Sequence, residues 1–266
     1  MKWITGFCDA GGVKIHYGRT GRSKPPLVLL HGLTGSGTCW SPLARRLERD
    51  YDVVMPDARG HGRSGTPLSG FQYSDHADDV SGLIRGLGLA APVLLGHSMG
   101  GMTAAVVASD GVTSLRGVIL ADPTFLTPER QREVHESDVI EWHRQLLGSS
   151  RSDVLAQLRT THPHRSPKLI EVLAEARLQT RIRAFEVLTP PNPDYRQLVN
   201  AISVPALLVI GTKGAVVPLE TAHELQDLNP RLRVEQIQDA GHGLPYDQPD
   251  RFEAVVSSFL RSLPGA

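Results

Sequence analysis

The run Ala91-Pro92-Val93-Leu94-Leu95-Gly96-His97-Ser98-Met99-Gly100-Gly101-Met102 decides how the chain is read. Residues 91–95 form a short apolar run with the length and punctuation of a buried strand. Residues 101–108 are helix-compatible and dominated by small side chains. Between them, Gly96 to Gly100 spells G-x-S-x-G. Strand, G-x-S-x-G, helix is the context of a nucleophile elbow. The turn is so tight that its central serine takes a strained backbone and lifts its hydroxyl over the sheet edge. Gly96 and Gly100 keep Cβ atoms out of the space where strand and helix nearly touch.

Outward from this turn the same alternation repeats. Lys14 to Thr20 alternates weakly and reads as an antiparallel N-terminal strand. Leu27-Val28-Leu29-Leu30 is a continuous apolar run, as expected of a strand covered on both faces. It enters the glycine-rich loop His31 to Gly37, and Ser41-Pro42 then opens a helix, with serine as N-cap and proline at N1. Residues 52–57 form a second buried strand. After it, Gly60, Gly62 and Gly65 spell G-x-G-x-x-G, which is rejected as a dinucleotide fingerprint. A loop follows it rather than a helix, and Arg85 stands where a ribose-binding acid belongs. A helix from near Ser74 carries Val80, Leu83, Ile84 and Leu87 on one face. Val118 to Ala121 is a further strand, ending at Asp122-Pro123. Strand–helix repetition of this kind implies a parallel sheet with right-handed crossovers.

From Phe125 to Asn200 no strand is evident. Gln131–Leu147 and Ser166–Leu188 read as helices, so residues 124–200 are expected to form a helical cap inserted in a single domain spanning 1–266. The alternation resumes with a strand over 204–211, a helix near 219–228, a strand near 232–237, the loop Asp239-Ala240-Gly241-His242-Gly243, and a last helix with Phe252, Val255, Val256 and Phe259 on one face.

The chain has 266 residues, and its 28 basic and 28 acidic side chains balance. That length suits one large α/β domain able to bury about three quarters of its unfolded surface. No basic stripe suggests nucleic acid. The two cysteines, Cys8 and Cys39, make neither a disulfide framework nor a metal motif. No signal peptide and no run of membrane-spanning length is evident, which implies a cytoplasmic protein. His162-Pro163-His164 has no third ligand arranged with it, so no metal is expected. No cofactor is expected either.

A serine hydroxyl needs a base to take its proton, the base needs a carboxylate, and the oxyanion needs preset donors. Taken with His31-Gly32, Asp57-Ala58-Arg59-Gly60-His61-Gly62-Arg63-Ser64 and Gly241-His242-Gly243, the elbow makes the chain resemble the α/β-hydrolase superfamily. The likeness is to its compact esterase, lactonase and cofactor-free haloperoxidase members. These landmarks run in order from about residue 25 to 262. The resemblance implies Ser98 as nucleophile and His242 as base. His242 also stands on its own position, in a glycine-flanked loop between the last strand and last helix. The oxyanion donors are expected to be the backbone N–H groups of Leu33 and Met99.

The acid departs from the family's common pattern. It usually lies in the loop after the strand that follows the insertion. Here that loop, Gly211 to Val217, carries Gly214 in its place. Asp122 ends the strand after the elbow helix, at the same sheet edge, and some members of the superfamily place the acid there. Asp122 is therefore expected to complete the triad. Asp239 and Glu220 are weaker candidates. His31 is expected to shape its loop and His97 to pack beneath the turn. Trp142 is expected to line the substrate pocket between insertion and core. Arg144, Arg165, Arg177, Arg181 and Arg183 read mostly as solvated helix faces, one of which could reach a substrate carboxylate. The resemblance implies a serine hydrolase acting on a small-molecule carboxylic ester or lactone. Two alternatives remain: an amide or C–N hydrolase with a small anionic substrate, and a ligand receptor on a hydrolase scaffold.

Overall fold

The structure, a computed structural model, describes residues 3–264. Eight strands form one sheet in the order β1-β2-β4-β3-β5-β6-β7-β8. β1 (Ile4–Ala10) and β2 (Val13–Arg19) form an antiparallel hairpin, and β2 pairs antiparallel with β4. β1 was not evident in the sequence. Its residues are mostly exposed at the sheet edge, so it lacks a clean apolar alternation. β3 (Pro26–Leu30), β4 (Asp52–Pro56), β5 (Val93–His97), β6 (Gly117–Ala121), β7 (Ala206–Gly211) and β8 (Leu232–Ile237) pair parallel with one another.

The continuous apolar runs arise because alternate residues of one strand enter two different cores. Val28, Leu30, Leu94, Leu120 and Leu208 face α2 (Tyr73–Gly86), α3 (Met99–Ser109), α8 (Tyr195–Ala201) and α9 (Leu219–Leu228). Leu27, Leu29, Leu95, Ile119 and Val209 face α1 (Ser41–Leu47) and α11 (Pro249–Ser262). A 3-10 turn at Gly37–Trp40 precedes α1, so Trp40 takes the N-cap place and Ser41 is already helical. The switch point lies at β3, which has β4 on one side and β5 on the other. In open sheets of this kind ligands settle beyond the carboxyl ends of the strands at such a point.

Between β6 and β7 there are helices and no strand. The expected helix over 131–147 is two: α4 (Pro128–His135) and α5 (Val139–Gly148), broken at residues 136–138. α6 (Arg151–Thr161) was not anticipated. Its start was nonetheless encoded, because the Ser150 hydroxyl accepts from Asp153 N at 3.2 Å, in the S-x-x-D pattern of a capped helix. α7 (Pro167–Leu178) ends short of Leu188, and a 3-10 segment at Ile182–Leu188 takes over. Val154, Leu158, Ile170, Leu173 and Ala174 form a small core of their own with Cys39. A one-turn α10 (Leu244–Asp247) separates the His242 loop from α11. No helix among the described residues is long and apolar enough to cross a membrane.

Candidate active site

Ser98 sits between β5 and α3 at φ 56° and ψ −119°, a backbone conformation that side chains other than glycine rarely adopt. The turn is over-determined by close packing. A Cβ on Gly96 would overlap the carbonyl oxygen of Gly100, and one on Gly100 would overlap that of Leu30. Ser98 Oγ lies 2.9 Å from His242 Nε2, and His242 Nδ1 lies 2.6 Å from Asp122 Oδ2. With Nδ1–H donating to the carboxylate, Nε2 is the atom free to accept the serine proton.

Asp122 is completely buried and has positive φ (41°), just before Pro123. Its carboxylate accepts from Val216 N at 2.9 Å on Oδ2 and from Val217 N at 3.0 Å on Oδ1. These donors belong to the loop after β7, which lacks an acid of its own. That loop therefore takes part through its backbone, gripping a carboxylate delivered by β6. Asp239 pairs with Lys213 at 2.7 Å on the exposed side of its loop, and Glu220 is exposed on α9. Neither of them reaches His242.

His97 does more than pack beneath the turn. Its Nε2–H donates to the His242 carbonyl oxygen at 2.7 Å, and the two rings lie 4.9 Å apart. The residue before the serine thus pins the loop that carries the imidazole. Asp247 pins the same loop from the other side, accepting from Gly241 N at 3.4 Å. His31 bridges two loops: Ala58 N–H donates to its Nε2 at 2.9 Å, so Nδ1 carries the proton and donates to the Gly32 carbonyl at 2.8 Å. The G-x-G-x-x-G loop wraps a carboxylate rather than a phosphate. Asp57 accepts from Gly37 N, Arg63 N and His16 Nδ1 at 2.8, 3.0 and 2.9 Å. The N–H groups of Leu33 and Met99 have no protein acceptor among the described residues and so are free to serve a ligand oxygen.

Burial is the leading cause that lowers the pKa of His31, His61, His76 and His97, the last to about 4 and His76 to about 3. Each is neutral when folded and takes up a proton near pH 6.5 once unfolded. Their contribution to stability is therefore complete above pH 6.5 and is lost as pH falls towards the folded values. For His97 alone this is on the order of 3 kcal/mol. Thermal unfolding followed by circular dichroism should show Tm falling steeply from about pH 6.5 to about pH 4. A flat profile over that range would contradict the buried neutral assignments.

A cavity of about 300 Å³ opens above Ser98, and Leu33, His162, Arg165, Arg177, His242 and Tyr246 are among the residues lining it. Arg165 donates to Asp247 Oδ1 at 2.7 Å, so its charge is matched. The Arg177 guanidinium has no hydrogen bond or ion pair among the described residues. Burial and then the charge of Arg165 lower its pKa, and burial followed by both arginines lowers that of His162. Arg144 and Arg183 pair with Glu141 and Glu186 at the surface, and Arg181 is exposed. Trp142 does not line this cavity. It is 65% exposed and faces a neighbouring one of about 580 Å³, with which the first shares Thr34 and Arg177. Arg177 is one of the five arginines among which the sequence makes no choice, His162 is weighed there only as a metal ligand, and Tyr246 is not singled out at all. They lie in segments whose local pattern is that of ordinary helix or turn; Arg177 and His162 reach the Ser98 cavity from the helices between β6 and β7, and Tyr246 from α10, just beyond His242.

Comparison with known proteins agrees with the fold. Residues 25–249 match the family described as alpha/beta hydrolase fold. The chain is 30% identical over 261 residues to N-formylmaleamate deformylase of Pseudomonas putida, covering 96% of each chain. The crystal structure of E-2-(acetamidomethylene)succinate hydrolase superposes with a TM-score of 0.81 at 24% identity, over 98% of this chain and 100% of that one. An esterase from Exiguobacterium antarcticum superposes at 0.82 with 25% identity, over 97% and 100%. The chain therefore belongs to the alpha/beta hydrolase fold family and is a hydrolase of that fold.

Proposed function

We propose that the protein is a serine-dependent amide hydrolase, cleaving a C–N bond in a small substrate that carries a carboxylate. The observation that carries this reading is the unpartnered Arg177 guanidinium lining the same cavity as Ser98. A half-buried guanidinium with no carboxylate of its own among the described residues is a ready partner for an anionic group. The expectation of an ester or lactone gives way to the amide because of the company the sequence keeps. The 30% identical relative is a deformylase of an N-formyl amide, and a 24% identical one of Mesorhizobium japonicum is named as a hydrolase of acetamidomethylene succinate.

In this mechanism Ser98 Oγ attacks the acyl carbon as His242 Nε2 takes its proton, and Asp122 holds the imidazole in the productive tautomer. The oxyanion is met by the N–H groups of Leu33 and Met99. His242 returns the proton to the departing nitrogen, the C–N bond breaks, and water, deprotonated by the same imidazole, releases the acid from Ser98.

The test is a matched panel of N-formyl and N-acetyl amides bearing a free carboxylate, their methyl-ester counterparts, and p-nitrophenyl acetate, with Ser98→Ala as the blank. The carboxylate amides should give the highest kcat/KM. Arg177→Ala should lower their kcat/KM about 10- to 100-fold, mainly through KM, while leaving the neutral amides nearly unaffected. A preference for neutral esters, or an Arg177→Ala variant indifferent to substrate charge, would count against the reading.

A further inference from the structure

Helix α5 carries Val139, Trp142, His143 and Leu146 at i, i+3, i+4 and i+7. An apolar stripe at that spacing ordinarily packs on a core. Here only His143 is buried; Leu146 also touches the small core around Leu158 and Ile170, but all four residues line the 580 Å³ cavity beside the Ser98 site. Phe185 lines the same cavity. Phe185 is buried with its ring 4.7 Å from that of His143, and His143 Nε2–H donates to the Thr180 carbonyl at 3.0 Å. Apart from Arg177 the lining holds no permanent charge, only neutral amide and hydroxyl groups such as Gln145, Gln157 and Ser149. The two cavities share Thr34 and Arg177. Alone, the Ser98 cavity lies at the small end of the size range of small-molecule sites, whereas the pair together falls near its upper end.

We propose that the Trp142 cavity is a subsite for an aromatic side chain, and that the substrate is an N-acyl α-amino acid bearing one. Three substituents then diverge from a single carbon, as the site requires. The acylated nitrogen points to Ser98, the carboxylate to Arg177 at the junction, and the ring to the indole face of Trp142 and the His143–Phe185 pair. An aryl group suits this wall better than an alkyl chain, since ring-on-ring packing adds to the area it buries. Hydrolysis breaks the amide C–N bond. Water supplies hydroxyl to the acyl carbon and a proton to the amine, releasing a short carboxylic acid and the free amino acid. This inference rests on the amide reading above and extends it.

The test uses the full-length Ser98→Ala protein and calorimetric binding of N-acetylphenylalanine against N-acetylglycine, followed by turnover of both by the unaltered enzyme. The ring should improve affinity about tenfold or more. Trp142→Ala should bring the ratio of the two affinities close to one, and Trp142→Phe should restore most of it. Equal binding of the two ligands, no binding of either, or a ratio that survives Trp142→Ala would overturn the subsite. Turnover separates the two readings. A ring-dependent affinity without any amide cleavage keeps the subsite and removes the amide reaction. Cleavage of both compounds with equal kcat/KM and equal affinity does the reverse.

Discussion

Asp122→Asn should lower kcat about ten-thousandfold on the best substrate while leaving the protein folded, in line with the cost of neutralising the aspartate in serine proteases. The reason lies in the donors around the carboxylate. Val216 N, Val217 N and His242 Nδ1 all point at its two oxygens. An asparagine has one acceptor and one donor end. With the oxygen towards His242, the NH₂ group confronts the Val217 N–H. With the amide reversed, the NH₂ confronts His242, forces Nδ1 to accept, and leaves Nε2 protonated and unable to take the Ser98 proton. Both arrangements place donor against donor, so a loss of stability of about 1–3 kcal/mol accompanies the loss of rate. Steady-state kinetics together with thermal unfolding of the same preparation reads both. Asp239→Asn, on an exposed carboxylate already paired with Lys213, should keep near-normal kcat. A kcat for Asp122→Asn within tenfold of the unaltered enzyme would remove Asp122 from the proposed triad.

The second large effect concerns folding rather than chemistry. Gly96→Ala should abolish the soluble folded protein or lower its stability by more than about 4 kcal/mol. The added Cβ would overlap the backbone of Gly100 and crowd that of Gly101. Backbone on both sides leaves nothing free to move. Gly96 is registered against Leu30 of β3 and Leu120 of β6, so the strand cannot shift, and α3 is packed from Met99 onward. Gly148→Ala at the end of α5 is the control. Nothing lies within 4 Å of its Cβ position, and the substitution should leave Tm unchanged or slightly raised through helix propensity. Soluble yield and unfolding midpoint distinguish the two. A Gly96→Ala protein of normal stability would mean that the elbow is looser than its packing implies.

The central sheet was legible because its strands are buried on both faces, which writes them as unbroken apolar runs bounded by glycine and proline. The insertion was legible only in outline. Its helices are short, and breaks at residues 136–138 and 179–181 interrupt a periodicity that otherwise continues across them. β1 escaped notice because an edge strand with little to bury leaves little pattern. In the site, Ser98 and His242 stand in glycine-framed loops that mark themselves locally. Asp122 was reached by position, at the end of a strand, once the usual loop proved to lack an acid.

The sequence by itself determined the alternation of the central strands with their flanking helices, the strained turn at Ser98 and the sheet edge at which Ser98, Asp122 and His242 end. Each of these depends on residue types a few positions apart, within the reach of local sterics and periodicity. Only the tertiary structure decided that the loop after β7 grips Asp122 through backbone N–H groups 94 and 95 residues away in sequence. It alone distinguished Arg165, neutralised by Asp247 82 residues further on, from Arg177, left without a partner among the described residues. It also placed Val139, Trp142, His143 and Leu146 of α5 along a cavity. A side chain's charge balance and the object its face meets are set by segments distant in the chain, and local spacing carries no record of them.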